Sequence, residues 1–234
     1  MNHARTMNTS SILLSLAALA FTTSAATAQT THQVDLVGLS FIPANITIQE
    51  GDTVVWNWVS GMHNVDSDDG LFTSGFPEFP PFSYSLTFDS TFLISAPANG
   101  NVYGYHCDPH LAFGMVGSVT VLTDNPVLEV NNLRAGQLAQ LTVTDATPGA
   151  SVGYAYSLAG AGPTTLNAGP CGFVTASLGA PINVLPQFVT ANGVGTAVLP
   201  VNVPPAAVDV FIWFQALDLG NCELSNGATM RVGL

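Results

Sequence analysis

In the stretch Cys107-Asp108-Pro109-His110-Leu111-Ala112-Phe113-Gly114-Met115 a thiol, an imidazole and a thioether fall close together, and His63 lies on an earlier loop. One fold can bring all four side chains to a single point. Thiolate and thioether sulfurs are soft donors suited to Cu(I), while imidazole serves both copper oxidation states. Two histidines and a cysteine in a trigonal plane, with a methionine as weak axial donor, form the arrangement used for one-electron transfer. A geometry between those favoured by Cu(I) and Cu(II) needs little rearrangement when the charge changes, so exchange is fast. Taken singly, each residue has an ordinary reading as a buried methionine, a loop histidine or a small apolar cysteine. Together the four make the donor set of a type 1 copper site.

The remaining candidate groups carry less chemistry. His106 precedes Cys107 on a strand, where successive side chains point to opposite faces, so it is excluded from the ligand set and read as solvated surface. His32 has no partner motif and is read as part of a flexible end. Asp66, Asp68 and Asp69 invite a calcium reading, but the closing glutamate and the glycine of an EF-hand loop are missing, and a solvated acidic turn is expected. Nothing supports nucleophilic or hydrolytic catalysis, since Cys107 is committed to metal and every histidine lies at or before position 110. A multicopper oxidase would need further histidine-rich sites. The chain reads as no enzyme but a carrier without turnover of its own.

The elements that must position these residues are strands. Strand-like runs cover 34–41, 46–48, 53–59, 84–88, 92–96, 102–107 and 116–122, at the spacing of a β-sandwich. Turn signals at Glu50-Gly51-Asp52, Asp68-Asp69-Gly70 and Asn99-Gly100-Asn101 separate them, and Pro77, Pro80 and Pro81 mark one longer loop. Thr123-Asp124-Asn125-Pro126 is the expected boundary, because Pro126 disfavours helix before it and both flanks return to strand patterning. Beyond it, strands are expected at 127–133, 137–144, 151–158, 172–178, 182–189, 196–203, 208–217 and 228–232. The fold class is therefore all-β, with a first sandwich over 29–123 and a second antiparallel β-sandwich over 124–234.

Composition agrees. Hydrophobic residues make up 47% of the 234, enough for packed cores, while only 8% are charged and Gly 22 and Pro 15 favour short strands and tight turns. The formal charge of −12 sets 15 acidic residues against Arg5, Arg134 and Arg231, with no lysine. Nucleic acid is excluded as a partner by that balance. The acidic field either steers a cationic partner or only confers solubility.

The first segment is set apart. Arg5 precedes an apolar run over 12–21 that is too short to span a bilayer, and Ala26-Thr27-Ala28 supplies a small-x-small cleavage site. Residues 1–28 are expected to be a signal peptide removed before Gln29. The mature chain, with no transmembrane segment expected, would then be periplasmic, extracellular or at the cell surface.

The motifs Phe41-Ile42-Pro43-Ala44-Asn45-Ile46-Thr47-Ile48, Gly51-Asp52-Thr53-Val54, His63-Asn64-Val65, Cys107-x-x-His110-x-x-x-x-Met115 and Gly117-x-Val119-x-Val121 occur in this order. This half resembles the cupredoxins of the plastocyanin, pseudoazurin and halocyanin group. The resemblance implies a Greek-key sandwich whose last strands and their connecting loop supply Cys, His and Met. It implies His63 and His110 as equatorial ligands, Cys107 as the thiolate and Met115 as the axial thioether. Asn64 would tie the two ligand loops together by hydrogen bonds. His110 would expose one ring edge to a docked redox partner, with Leu111, Phe113 and Met62 as an apolar collar. His106 departs from the family, many of whose members carry an aromatic ring before the cysteine. A single-electron carrier is the leading function; copper binding or delivery, and a structural or adhesive surface protein with an accessory copper module, are the alternatives.

Cys171 and Cys222 are the two remaining cysteines, and an exported protein meets oxidising conditions, so a disulfide between them is expected. Residues 124–234 contain no histidine. Adhesion, spacing from a surface, docking onto a redox partner and simple stabilisation are all compatible with them.

Overall fold

The computed structural model describes residues 29–234, so the expected signal segment 1–28 lies outside the described residues. The first module is built from β1 (Thr31–Val37), β2 (Ser40–Ile42), β3 (Asn45–Gln49), β4 (Thr53–Ser60), β5 (Asp66–Ser67), β6 (Ser83–Thr87), a short helix α1 (Ser90–Ser95), β7 (Val102–His106) and β8 (Val116–Leu122). They form two four-stranded sheets, in the orders β2-β1-β4-β6 and β3-β8-β7-β5. Two pairings are parallel, β1 with β4 and β3 with β8, and they place the earliest strands beside later ones.

The core follows from alternation along each strand. Val54, Trp56 and Trp58 of β4 and Val34 and Leu36 of β1 face Tyr103 and Tyr105 of β7 and Val119 and Val121 of β8, all of them buried in one cluster. At its centre the Trp56 ring meets Tyr105 edge-on at 5.5 Å and stacks on Tyr84 at 5.6 Å. The end of this sandwich where β4 and β7 run out carries the ligand loops.

The second module comprises β9 (Val127–Asn131), β10 (Leu138–Thr144), β11 (Ser151–Ser157), β12 (Ala161–Asn167), β13 (Phe173–Leu178), β14 (Ile182–Val184), β15 (Val189–Thr190), β16 (Ala197–Asn202), β17 (Phe211–Asp218), β18 (Glu223–Leu224) and β19 (Ala228–Arg231). One sheet runs β16-β10-β9; a second runs β14-β11-β17-β18 with β15 on β11 and β19 on β17; β12 and β13 make a separate hairpin. A second buried cluster, including Leu128, Leu141, Val152, Tyr154 and Phe214, fills this module. Among the described residues no sheet contains strands from both sides of 123–126.

The two modules meet through side-chain amides. Asn99 accepts from Val130 N at 2.7 Å and donates to Val130 O at 3.1 Å. Asn226 accepts from Leu128 N at 2.6 Å and donates from Nδ2 to Ala98 O at 3.2 Å. Cys171 and Cys222 are joined as a disulfide that fastens the turn after β12 to the turn between β17 and β18.

Several boundaries differ from the sequence expectation, each for a local reason. Of the run 92–96, expected as a strand, 92–95 belong to α1 and Ala96 is its C-cap: the Asp89 side chain accepts from Phe92 N at 2.9 Å and caps the start of the helix. So short a run does not distinguish the two periods, and the cap decides. The run 34–41 is a hairpin rather than one strand, turning at Gly38 with φ 61°. The run 182–189 divides into β14 and β15, with Pro186 between them. β12 was hidden by Gly162 and Pro163, which sit where its pairing with β13 is irregular.

Candidate metal centre

His63 is held in place by its backbone and by its ring. Its N–H donates to Glu78 O at 3.0 Å, Glu78 N donates back to His63 O at 2.8 Å, and Trp58 Nε1 donates to the same carbonyl at 2.7 Å. The ring Nε2 donates to Ser60 O at 2.8 Å. With Nε2 carrying the proton, the Nδ1 lone pair is left free to bind metal, which is how a partner on one ring nitrogen fixes the tautomer. Gly61 makes this possible: it has φ 91°, and a Cβ there would lie 2.8 Å from His63 Nε2.

The other three residues come from one tight loop. Cys107 ends the line of β7, and a 3-10 turn over Asp108–Phe113 follows, with Pro109 in its first turn and Gly114 closing it in the left-handed region. His110 N donates to Cys107 O at 3.0 Å, and Cys107 N donates to Met115 O at 3.1 Å. The chain thus folds back so that Met115 enters β8 opposite Cys107.

Cys107 Sγ lies 3.4 Å from His110 Nδ1 and 3.6 Å from His63 Nδ1. The two imidazole rings stand 4.9 Å apart, tilted by 58°. His63 and Cys107 are 0% exposed and Met115 is 1% exposed, whereas His110 is only half-buried. Burial lowers the His63 pKa, with the neighbouring His110 acting in the same direction against the bond to Ser60. Its ring is therefore neutral near pH 7, as a ligand must be. Burial also pushes the Cys107 thiol up, against hydrogen bonds from the backbone N–H groups of Asn64 and His110. A bound cation supplies the positive charge that a buried thiolate needs. One sulfur and two Nδ1 atoms, all within 4.8 Å of one another, with His63 and Cys107 buried and His110 half-buried, fit a copper ion.

Asn64 joins the two ligand loops. Its Nδ2 donates to Asp108 Oδ2 at 2.6 Å and its Oδ1 accepts from Asp108 N at 2.8 Å. Met62, Leu111 and Phe113 are exposed, at 39%, 49% and 70%. Sequence reasoning did not single out Trp58, Ser60, Gly61, Glu78 or Asp108, which set the positions of His63 and Cys107 through backbone and side-chain contacts. Phe76 and Phe79, both exposed and on either side of Glu78, were also missed. The available signals were the Gly61 turn two residues before His63 and the carboxylate directly after Cys107.

Two histidines differ from expectation. His106 is not simply solvated: its side chain is 16% exposed, with Nδ1 2.7 Å from Asp68 Oδ1 and Nε2 3.2 Å from Asp108 Oδ1. Burial would lower its pKa, but those two carboxylates outweigh burial and raise it. Asp68 is therefore engaged rather than part of a free acidic turn. His32 is not in a loose end either, since it lies in β1 with Nε2 2.8 Å from Asp52 Oδ2.

With this geometry in view, the comparisons with known proteins are direct. Residues 28–122 match the family model for copper binding proteins of the plastocyanin/azurin family. Plastocyanin from Scenedesmus fuscus is 34% identical over 98 residues, which are 37% of this chain and 91% of that protein. Halocyanin from Natronomonas pharaonis is 37% identical over 89 residues, 36% of this chain and 49% of that protein. Among solved structures, an amicyanin is 28% identical, covering 38% of this chain and 80% of that one at a TM-score of 0.31. The first module is thus a cupredoxin, an all-β copper protein. The chain belongs to the plastocyanin/azurin family, and its cofactor is copper.

Proposed function

We propose that the chain is an exported blue-copper protein that carries single electrons between redox partners. In this reading His63 and His110 are the equatorial imidazoles through Nδ1, Cys107 is the thiolate and Met115 the axial thioether. Copper supplies the one-electron change between Cu(I) and Cu(II). The chain's own residues hold the geometry: Ser60 O fixes the His63 ring, Asn64 binds the loop carrying Cys107, and the packed end of the sandwich excludes water. The observation that carries the reading is the convergence of Cys107 Sγ with both Nδ1 atoms at 3.4 and 3.6 Å inside a buried pocket.

Electrons would pass through His110, the one ligand of the four with a half-exposed side chain. Leu111, Phe113 and Met62 offer the apolar surface for a transient partner, and the acidic chain steers a cationic one. Export is supported by the Ala26-Thr27-Ala28 cleavage pattern and by the Cys171–Cys222 disulfide. Residues 29–123 form the copper module and 124–234 a second β-sandwich module.

The test is addition of Cu(II) to the purified mature chain, with visible and paramagnetic-resonance spectra. An intense thiolate-to-copper absorption and one copper per chain are expected, and Cys107→Ser removes the colour. A colourless protein with ordinary tetragonal spectra would overturn the assignment. Release of Cu(I) to a chelator, faster than electron exchange, would replace electron carriage by copper delivery.

A further inference from the structure

The ladder that carries Cys107 has a second face. In the pairing of β5 with β7, Asp66 stands opposite His106 and Ser67 opposite Tyr105. Side chains two residues apart share a face of a strand. Asp66 and Asp68 on one side, and His106 and Asp108 on the other, are therefore disposed on the face opposite to Cys107. The inner face holds the sulfur and two imidazoles; the outer face holds carboxylates around a third imidazole.

The outer group converges as well. One ligand atom from each of Asp66, His106 and Asp108 lies within 4.8 Å of the others. His106 Nε2 and Asp108 Oδ1 are 3.2 Å apart, about the separation of two donors sharing a tetrahedral zinc with bonds of roughly 2.0–2.2 Å. The opposite ring nitrogen is bound by Asp68 Oδ1 at 2.7 Å. A carboxylate on Nδ1 fixes the ring so that Nε2 faces the ion, the usual arrangement behind a metal-binding histidine. Gly104 leaves the room for it, since a Cβ at that position would collide with Asp68 Oδ2. Asp108 is anchored by Asn64 through its other oxygen. Residues 29–123 contain neither lysine nor arginine, so no permanent cation of this module competes for the three carboxylates.

We propose that Asp66, His106 and Asp108 bind a divalent cation of the zinc class, back to back with the copper position. One nitrogen and two oxygens are borderline-to-hard donors, suited to zinc, nickel or Cu(II), in contrast to the soft set around Cys107. Asp68 is the positioning residue. Because Asp108 follows Cys107 directly, a cation held there adds positive charge beside the copper. It disfavours Cu(II) relative to Cu(I), and the copper potential rises when the outer position fills.

The experiment uses the copper-loaded full chain, zinc chloride as the probe, gel filtration and elemental analysis. The wild type is expected to retain one zinc in addition to one copper. His106→Gln and Asp66→Asn are expected to keep the copper and its absorption while binding zinc at least tenfold more weakly. Zinc should raise the copper midpoint potential of the wild type and leave that of His106→Gln unchanged. In the metal-free chain the zinc count should fall by one between wild type and His106→Gln, whatever the inner residues bind, which separates this result from the copper assignment. Equal zinc retention by the variants, displacement of copper by zinc, or no zinc retained by the wild type would overturn the proposal.

Discussion

Asn64 and Asp108 are bonded twice, amide to carboxylate at 2.6 Å and backbone N–H to amide oxygen at 2.8 Å, across 44 positions of sequence. The asparagine follows His63 and the aspartate follows Cys107. The spacing of His63 and Cys107, the two proposed ligands, is therefore set by a pair of neighbouring side chains bonded to each other.

Asn64→Ala removes both bonds and leaves Asp108 N–H without its partner in a part-buried position. A loss of about 1–3 kcal/mol in stability is expected from denaturant unfolding. The blue absorption should persist but shift, because the ligand loops are no longer held at one spacing. An unaltered spectrum together with unaltered stability would show that the loops are fixed elsewhere.

Gly61 tests the support of His63. Gly61→Ala places a methyl 2.8 Å from Nε2 and asks alanine to adopt φ 91°. Backbone strain of this kind costs on the order of 1–3 kcal/mol. Copper affinity should fall well below that of the wild type, as measured by competition with a chelator, while circular dichroism still shows the β-sandwich.

Acid should weaken the first module through Asp52. Burial raises its pKa, but hydrogen bonds from His32 and from the N–H groups of Thr30 and Gln49 outweigh burial and hold it below the ordinary range. The sign follows from linkage: the ionised form is favoured in the folded state, so the contribution is present above about pH 4 and is lost as pH falls through the folded value. Unfolding of wild type and Asp52→Asn, compared from pH 6 to pH 2, should show the wild-type advantage vanish at the acid end. An advantage independent of pH would remove Asp52 from the account.

Docking is tested by charge at the exposed collar. Leu111→Lys, on a side chain that is 49% exposed, should slow electron exchange with a redox protein by roughly tenfold, equivalent to ~1.4 kcal/mol. The copper spectrum should not change. Rising salt should separately slow exchange with a cationic partner, since the Debye length falls from about 10 Å at 0.1 M to 3 Å at 1 M.

The boundary between modules gives a fifth measurement, on independence. A chain ending at Asp124 keeps every proposed copper ligand but loses the partners of Asn99 and Ala98 on Val130 and Asn226. It should fold and bind copper with a lower melting temperature than the full chain. Failure to bind copper would mean that this contact is obligatory.

The convergence of His63, Cys107 and His110 was legible because ligand chemistry restricts residue type and a tight loop restricts spacing. The strands of the first sandwich were legible because runs such as 53–59 are rich in β-branched and aromatic residues and are bounded by turn signals such as Glu50-Gly51-Asp52. The helix at Ser90–Ser95 was not, since its apolar run is too short to carry a period and its cap, Asp89, acts through one side-chain bond. β12 was lost behind Gly162 and Pro163. The outer face of β5 and β7 escaped because a register between residues 66 and 106 is a tertiary fact, and only that register turns separate acidic residues and a histidine into a cluster.

Among the described residues Cys107 is the only cysteine outside a disulfide, and it is wholly buried. A folded, metal-free molecule therefore presents no sulfhydryl to the surroundings. Two such molecules should not cross-link in air, and alkylating reagents should find nothing to modify until the chain opens. The same burial that shapes the pocket acts as storage, keeping the thiol in its reduced form until a metal ion arrives.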